Sequence, residues 1–487
     1  MPTNNTKQAA WVALGSFFSF AIGIISSMIL SRFLDKAEYG TFKQVLYVYN
    51  TLLSIFLLGL PRAYSYFLPR LQLSLAKDFV RKITKLFFIL GGVFSILLFW
   101  GSGFIADILK NPDLETAIKI FSVVPMLLMP TMGLEGVLAT YRKTQLLAIY
   151  TITTRIFMLL CISLPVIIFD LGYIEAIVGF VVSSFATCIL ALFLMNYPFL
   201  KQKKIKCKIS YSDIFRFSLP LLYASLFGMI IRSSDQFFIS RFFGSSTFAD
   251  FSNGFIELPI ISMVVGACAT VLSPIFSRME HEKVDFKEEV FPIWISVFEK
   301  TAKLIYPVLA FCWVFSDSIM VLLYGQQYAD SGIYFKLKNI SNLFNLIIFA
   351  PLLINTGRVK IYSTVHAIVA ILVIFLEFIC VKIFNSPYSI ATASVLCSLC
   401  KTFIFLYFVS KIFNVSIISL FPIKTIILIL APSLFILYIE HYTLSQMDIN
   451  LLLALPIALV LYVLIFGAYS HYQRLNYLAI IKPLFRR

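Results

Sequence analysis

Four cationic side chains interrupt stretches of the chain that are otherwise apolar: Arg62, Arg155, Arg232 and Lys401. Three acidic ones do the same: Asp235, Glu257 and Glu377. An ionisable group inside a long apolar helix is costly, and such groups usually face a bundle interior or a water-filled cavity. Arginine supplies a planar fork that matches phosphate oxygens, and its charge survives burial where a lysine's can vanish. The chemistry this set suits is the holding of an anion, a diphosphate head group for example, with the carboxylates as candidates for coupling to an ion. No Gly-rich phosphate loop, Asp-rich metal motif or nucleophile elbow accompanies them, so no catalytic residue, metal or cofactor is expected.

Each charge also has a plainer structural reading. Arg232 and Asp235 lie three residues apart and can pair on one helix face. Arg62 and Glu135 sit near span ends, where a long side chain can snorkel to the interface. Arg62 also follows Gly59 and Pro61, where the helix is open to interruption. Glu257 falls one turn after Asn253 in the eighth apolar span, and Glu377 and Lys401 can pair across the eleventh and twelfth. One cationic cavity nevertheless explains four intramembrane cations more economically than four unrelated accidents.

The elements that must position these groups are membrane spans. The 487 residues are 60% hydrophobic and 13% charged, with a mean hydropathy of +0.91. A soluble domain is about half apolar and about a quarter charged, and the surplus here cannot all be core. Fourteen spans are expected near 10–30, 44–66, 86–108, 117–139, 146–169, 174–196, 217–239, 251–275, 302–324, 338–356, 362–384, 388–410, 420–440 and 450–469. The first is too long for a signal-peptide core and reads as a retained helix. With the N-terminus inside, 27 of the 40 Lys and Arg fall on the inner side, 9 on the outer and 4 within spans, which puts both termini in the cytoplasm. The basic excess (net charge +16) punctuates apolar runs, so it indicates inner loops and no nucleic-acid partner. The eight cysteines are scattered, and Cys397 and Cys400 read as small packing residues. The longest inner connection, 277–300, is expected to be an amphipathic surface helix.

The chain repeats itself. Ser31-Arg-Phe-Leu-Asp-Lys-Ala-Glu-Tyr-Gly-Thr-Phe42 aligns without a gap on Ser240-Arg-Phe-Phe-Gly-Ser-Ser-Thr-Phe-Ala-Asp-Phe251, an offset of 209. The same offset pairs Ser16 with Ser225, Ser19 with Gly228, Gly23 with Arg232 and Ser26 with Asp235, one helix face in each copy. Two six-helix halves in the same orientation follow, a transporter architecture with a site at the repeat interface. The expected division is 1–208, 209–415 and a peripheral helix pair in 416–487.

Several stretches resemble the multidrug/oligosaccharidyl-lipid/polysaccharide exporter superfamily, in particular its oligosaccharide flippase (Wzx-type) branch. They are Ser31-Arg-Phe-Leu…Glu38-Tyr-Gly, Leu138-Ala-Thr-Tyr-Arg-Lys, Ser218-Leu-Pro-Leu…Asp235…Phe243-Gly, Leu272-Ser-Pro-Ile-Phe-Ser-Arg278 and Leu323-Tyr-Gly-Gln-Gln-Tyr328. The resemblance implies an all-α protein of two six-helix lobes around a V-shaped central cavity. It also implies alternating access that carries a polyprenyl-diphosphate-linked oligosaccharide from the cytoplasmic to the outer leaflet of a bacterial inner membrane, with ion coupling usual in the superfamily. The partners implied are that lipid-linked substrate and the bilayer, with a polysaccharide polymerase and a chain-length regulator as associates. A cation-coupled multidrug antiporter of the same superfamily is the second reading; the first span lacks the acidic residue that drug exporters often carry there. A membrane-embedded repeat-unit polymerase is the third, and the short outer loops speak against it.

Overall fold

The computed structural model describes residues 5–203, 205–447, 449–475 and 477, and among these every regular element is helical. The chain falls into two compact units, Met1–Ala249 and Asp250–Arg487.

The first unit contains α1 (Asn5–Phe33), α2 (Lys36–Phe56), α3 (Pro61–Phe67), α4 (Leu73–Leu109), α5 (Asp113–Phe121), α6 (Val124–Leu128), α7 (Leu134–Thr140), α8 (Thr144–Phe169), α9 (Tyr173–Asn196) and all but the end of α10 (Tyr211–Gly254). Two of its expected spans are broken. In the second, Leu58 and Gly59 take positive φ (48° and 71°), and Pro61, which has no N–H to continue a helix, opens α3 instead. In the fourth, Pro125 and Pro130 sit at the starts of α6 and of a 3₁₀ turn over Met129–Gly133 that leads into α7. α1 lies along α8, α8 along α9, and α2 against α5 and α9.

The repeated loop has the same local structure in both copies. α1 ends at Phe33 and α2 begins at Lys36, with Asp35 extended between them (φ −62°, ψ 149°), its N–H donated to Glu38 Oε2 at 3.4 Å. The offset maps Asp35 onto Gly244, and there α10 is interrupted (φ 82°, ψ 178°). Ser31 and Ser240 are both fully buried, as are Tyr39 and Phe248. The helices meet closely: a Cβ on Gly40 would stand 2.0 Å from the Ser245 carbonyl oxygen. Gln44 donates to Ser240 Oγ at 2.7 Å, and Asn111 donates to Gln44 Oε1 at 2.6 Å and to Thr41 Oγ1 at 2.9 Å. This buried polar knot is satisfied within itself.

The second unit contains α11 (Pro259–His281), α12 (Phe291–Val314), α13 (Ser316–Tyr324), α14 (Ser331–Phe344), α15 (Ala350–Asn355), α16 (Val359–Ile383), α17 (Pro387–Phe413), α18 (Ile423–Ser445) and α19 (Leu451–Tyr472). Its core gathers around α12, against which α18 packs, with α19 against α18. Polar tips of buried aromatics find backbone partners: Trp294 Nε1 donates to the Ile348 carbonyl at 2.8 Å and the Tyr306 hydroxyl to that of Leu343 at 3.1 Å. The Tyr462 hydroxyl donates to Ser433 Oγ at 2.9 Å.

Eleven helices among the described residues are long and apolar enough to cross a bilayer, or up to 13 if each of two bent pairs counts as one span. The pairs are 211–220 with 225–254, bent by 55°, and 286–314 with 316–324, bent by 76°. The expected count of 14 is not reached because the tenth segment, 338–356, is divided between α14 and α15, with 345–349 outside any helix. Asn342 precedes that break, Asn345 opens it and Pro351 follows it in the first turn of α15, residue types that weaken the interior of an apolar helix. The eighth span starts at Pro259, not 251, because α10 runs on to Gly254. The connection 277–300 forms no separate surface helix. α11 runs to His281, and a π turn over Phe286–Val290, capped by Asp285 Oδ1 accepting from the Lys287 N–H at 2.8 Å, leads straight into α12.

Candidate functional site

One face of α8 carries Leu147, Tyr150, Thr151, Thr154, Arg155 and Met158, spaced by three, one, three, one and three residues. That is the spacing of a single helical stripe. It forms one wall of a chamber of about 540 Å³. α2 supplies Leu46, Tyr49, Asn50 and Leu53 at the same kind of spacing, and the broken fourth span supplies Leu128, Thr131, Met132, Leu134 and Glu135. Phe180 and Thr187 of α9 complete the lining. A cleft of about 360 Å³ adjoins it, sharing Glu135, Leu147 and Thr151, and is walled on its far side by Val12, Gly15, Ser16, Ser19 and Phe20 of α1. Two members of the small polar stripe of α1, Ser16 and Ser19, therefore face this space.

The polar equipment of the chamber is uneven. Thr151 and Thr154 spend their hydroxyl protons on their own helix, donating to the Leu147 and Tyr150 carbonyls at 2.9 and 2.8 Å; their lone pairs remain as acceptors. The Tyr150 hydroxyl donates to the Thr187 carbonyl at 3.4 Å. Arg155 is different. Among the described residues its guanidinium reaches Met158 Sδ at 3.7 Å, a weak acceptor that leaves most of its five donors unused. Tyr49 is different as well. It is 5% exposed, its ring is fixed by Phe94 (centroids 6.0 Å apart, stacked) and Phe121 (5.3 Å, edge-on), and its hydroxyl has no hydrogen-bond partner among the described residues. The Arg155 guanidinium on α8 thus keeps donors that an anion can take up, and the Tyr49 hydroxyl on α2 is a buried polar group left unsatisfied within the same lining.

Glu135 lines both the chamber and the cleft, whereas its place in the sequence suggested a side chain reaching for the interface. No ion pair joins Glu135 to Arg155 among the described residues, so the chamber carries a cation and an anion held apart.

The other charges picked out in the sequence lie elsewhere. Arg62 is exposed at the first turn of α3, just after the Leu57–Leu60 break, and does not line the chamber. In α10 Arg232 is exposed, while Asp235, three residues on, is 3% exposed and accepts the Gln236 N–H at 2.7 Å. Glu377 is fully buried on α16 and Lys401 half-buried on the adjoining α17, both in the second unit. Glu257 is exposed in the irregular stretch 255–258 between α10 and α11, not inside a helix as expected; Gly254 and Pro259, which bracket that stretch, were the legible signal. Tyr49, Asn50, Thr131 and Glu135 were not singled out as cavity residues in the sequence. The periodicity of Leu46, Tyr49, Asn50 and Leu53 was readable, but it does not distinguish a chamber face from a core face.

A family model described as polysaccharide biosynthesis protein matches residues 29–332, more than half of the chain. No curated protein matches it in sequence. Among solved structures, the lipid II flippase MurJ in its inward closed conformation superposes with a TM-score of 0.72 at 14% identity, covering 98% of this chain and 99% of that one. An inward-facing multidrug resistance MATE family transporter of the MOP superfamily gives 0.65 at 14% identity over 81% and 94%. A MOP superfamily transporter from Pyrococcus furiosus gives 0.59 at 14% identity over 84% and 95%. At such identities the superpositions speak for the fold, and the family match speaks for kinship: this chain belongs to the polysaccharide biosynthesis protein family and has the all-helical fold of the MOP-superfamily transporters.

Proposed function

We propose that the protein is a flippase that moves a polyprenyl-diphosphate-linked oligosaccharide repeat unit, of O-antigen, capsule or similar kind, from the cytoplasmic to the outer leaflet of a bacterial inner membrane. The observation that carries this reading is the underused Arg155 guanidinium in the lining of a 540 Å³ chamber, which the residue of the unpartnered Tyr49 hydroxyl also lines. A diphosphate presents several charged oxygens to such donors, and charge-assisted hydrogen bonds are the stronger kind. The threonine lone pairs and Asn50 offer acceptors and donors for sugar hydroxyls, and the hydrocarbon tail would remain in lipid. Family membership supports the polysaccharide part of the reading, and the MurJ-like fold supports the lipid-linked part.

The mechanism in this proposal is alternating access of lobes 1–208 and 209–415 around a V-shaped cavity, with 416–487 peripheral and both termini cytoplasmic. Ligand binding shifts the population of inward- and outward-open states only through its different affinity for them. Arg62, Arg232 and Lys401 serve as further cations along the substrate's path, and Asp235, Glu257 and Glu377 as candidates for ion coupling. A polymerase and a chain-length regulator are the proposed recipients of the flipped unit. The multidrug-antiporter reading draws on one observation, the Glu135 carboxylate in the chamber and the cleft, which suits a cationic drug.

The test is genetic. In a deletion strain, wild-type protein is expected to restore surface polysaccharide, and the Arg155→Ala, Arg232→Ala double variant to fail at equal membrane abundance while a lipid-linked intermediate accumulates. Full export by the double variant would remove the cationic mechanism. A deletion strain with unchanged polysaccharide but increased drug sensitivity would favour the antiporter.

A further inference from the structure

The connection from α9 to α10 contains Lys201-Gln-Lys-Lys-Ile-Lys-Cys-Lys208, a density of positive charge that an ordinary solvated tether does not need. It does not hang free. Lys77 of α4 donates to the Phe199 carbonyl at 3.1 Å and to that of Gln202 at 2.7 Å. Lys82, one helical turn and a little further on, donates to the Cys207 and Ile209 carbonyls at 2.8 and 3.2 Å. Between them Asp78 Oδ2 accepts the Cys207 N–H at 2.9 Å, and the Ile205 N–H reaches the Ser74 carbonyl at 3.3 Å. The first turns of α4 thus spend two lysines and an aspartate on fixing backbone.

What that fixing achieves is a displayed surface. Cys207 is buried, while Lys201, Lys203, Lys206 and Lys208 are exposed, and so are the apolar side chains of Leu200 and Ile205. Beside the strap, between α4 and the end of α9, lies a pocket of about 290 Å³. α4 lines it with Lys77, Val80, Arg81 and Thr84, and the end of α9 and the residues after it with Leu192, Met195, Asn196 and Leu200, so polar and apolar side chains share the lining. Lys77 is occupied by the strap. Arg81 is exposed, and its guanidinium has no hydrogen-bond or ion-pair partner among the described residues.

We propose that this pocket and strap form a binding site for an anionic phospholipid. Arg81 and the displayed lysines take the phosphate, and Leu192, Met195 and Leu200 take the start of an acyl chain. A basic pocket between spanning helices on the Lys/Arg-rich face has the chemistry that retains anionic head groups, and each Lys or Arg near an anionic surface adds about fivefold in affinity. A soluble phosphate would use the charges but not the apolar side chains. The site is independent of what the chamber carries. Its place is on the connection that joins the two halves of the sequence repeat, so a bound lipid would stiffen that connection.

Native mass spectrometry of the purified full-length protein, titrated with phosphatidylglycerol or with phosphatidylethanolamine, tests the assignment. Wild-type protein is expected to retain phosphatidylglycerol at least tenfold more tightly. Arg81→Gln should weaken phosphatidylglycerol about fivefold, and the Lys201, Lys203, Lys206, Lys208→Gln variant at least tenfold. Phosphatidylethanolamine binding and the unfolding temperature should stay unchanged, since all five side chains are exposed. Millimolar inorganic phosphate should not displace the lipid. Equal retention of the two lipids by wild-type protein, which requires no variant to fold, would overturn the proposal. So would unchanged affinity in both variants, or full displacement by phosphate, which would mark a site for soluble anions.

Discussion

Arg155 and Tyr49 make opposite demands on the protein, and that contrast is testable. Arg155 is held in a largely apolar membrane unit with a thioether as its recorded partner, and Tyr49 buries a hydroxyl that bonds to nothing among the described residues. An unsatisfied buried polar group costs about 1–3 kcal/mol, so Tyr49→Phe should leave thermal stability in detergent equal or raise it by up to about 1 kcal/mol. The same change should weaken substrate binding several-fold, the worth of roughly one hydrogen bond. Loss of stability without loss of binding would show that the hydroxyl serves the fold. At Arg155 a lysine keeps the charge but loses the fork. Export is therefore expected to be partial in Arg155→Lys and absent in Arg155→Ala, measured as surface polysaccharide at matched protein abundance. Arg155 was legible from its sequence alone because a charge in an apolar run stands out. Tyr49 was not, because a tyrosine among leucines is an ordinary core residue until its hydroxyl is seen to lack a partner.

The elements that shape the chamber are defined by their interruptions. Pro61, Pro125 and Pro130 divide the second and fourth spans into shorter helical pieces, and Glu135 of the last piece of the fourth lines the chamber. Gly59 with Pro61 could be read in advance as a weak point, since proline cannot continue the hydrogen-bond ladder. That Glu135 would line the chamber could not be read, because it depends on which helices pack beside its face. The repeat was legible down to its break: Asp35 and Gly244 are equivalent, and each separates two helices. Gly244 holds φ 82° and ψ 178°, a region essentially reserved for glycine. Gly244→Ala should cost about 1–3 kcal/mol, read as a lower unfolding temperature. Gly40→Ala should cost more, because its Cβ would press on the Ser245 backbone at 2.0 Å. Unchanged stability in both would mean that the packing of the repeated loops is not as described. The fourth span was legible as a span, while the tenth is not continuous. Window hydropathy counts apolar residues and does not register that α14 ends just before Asn345 and that a new helix starts with Pro351 in its first turn.

At the scale of the whole molecule, composition alone settled that the chain is a polytopic membrane protein, and the family match and superpositions agree. Its crossing number has a direct consequence for sidedness. Thirteen crossings would place the termini on opposite sides of the membrane, whereas the expectation from the Lys/Arg distribution is both inside, and that expectation requires an even number, met if α14 and α15 together make one further crossing. Cysteine-accessibility labelling at the two ends of the chain should therefore find both protected from an impermeant outer reagent; labelling of one end only would support thirteen. Each compact unit has its own core, and the chamber lies within the first unit; of its lining, sequence reasoning singled out Arg155 as a cavity residue. The central claim is that this chamber grips the diphosphate of a lipid-linked oligosaccharide. Its most direct test is the affinity of purified protein for a polyprenyl-diphosphate-linked oligosaccharide, measured side by side for the wild type and Arg155→Ala. The account predicts at least a tenfold loss in the variant, with equal stability and with weakening of wild-type binding as salt rises. Equal affinity in the two proteins would contradict it.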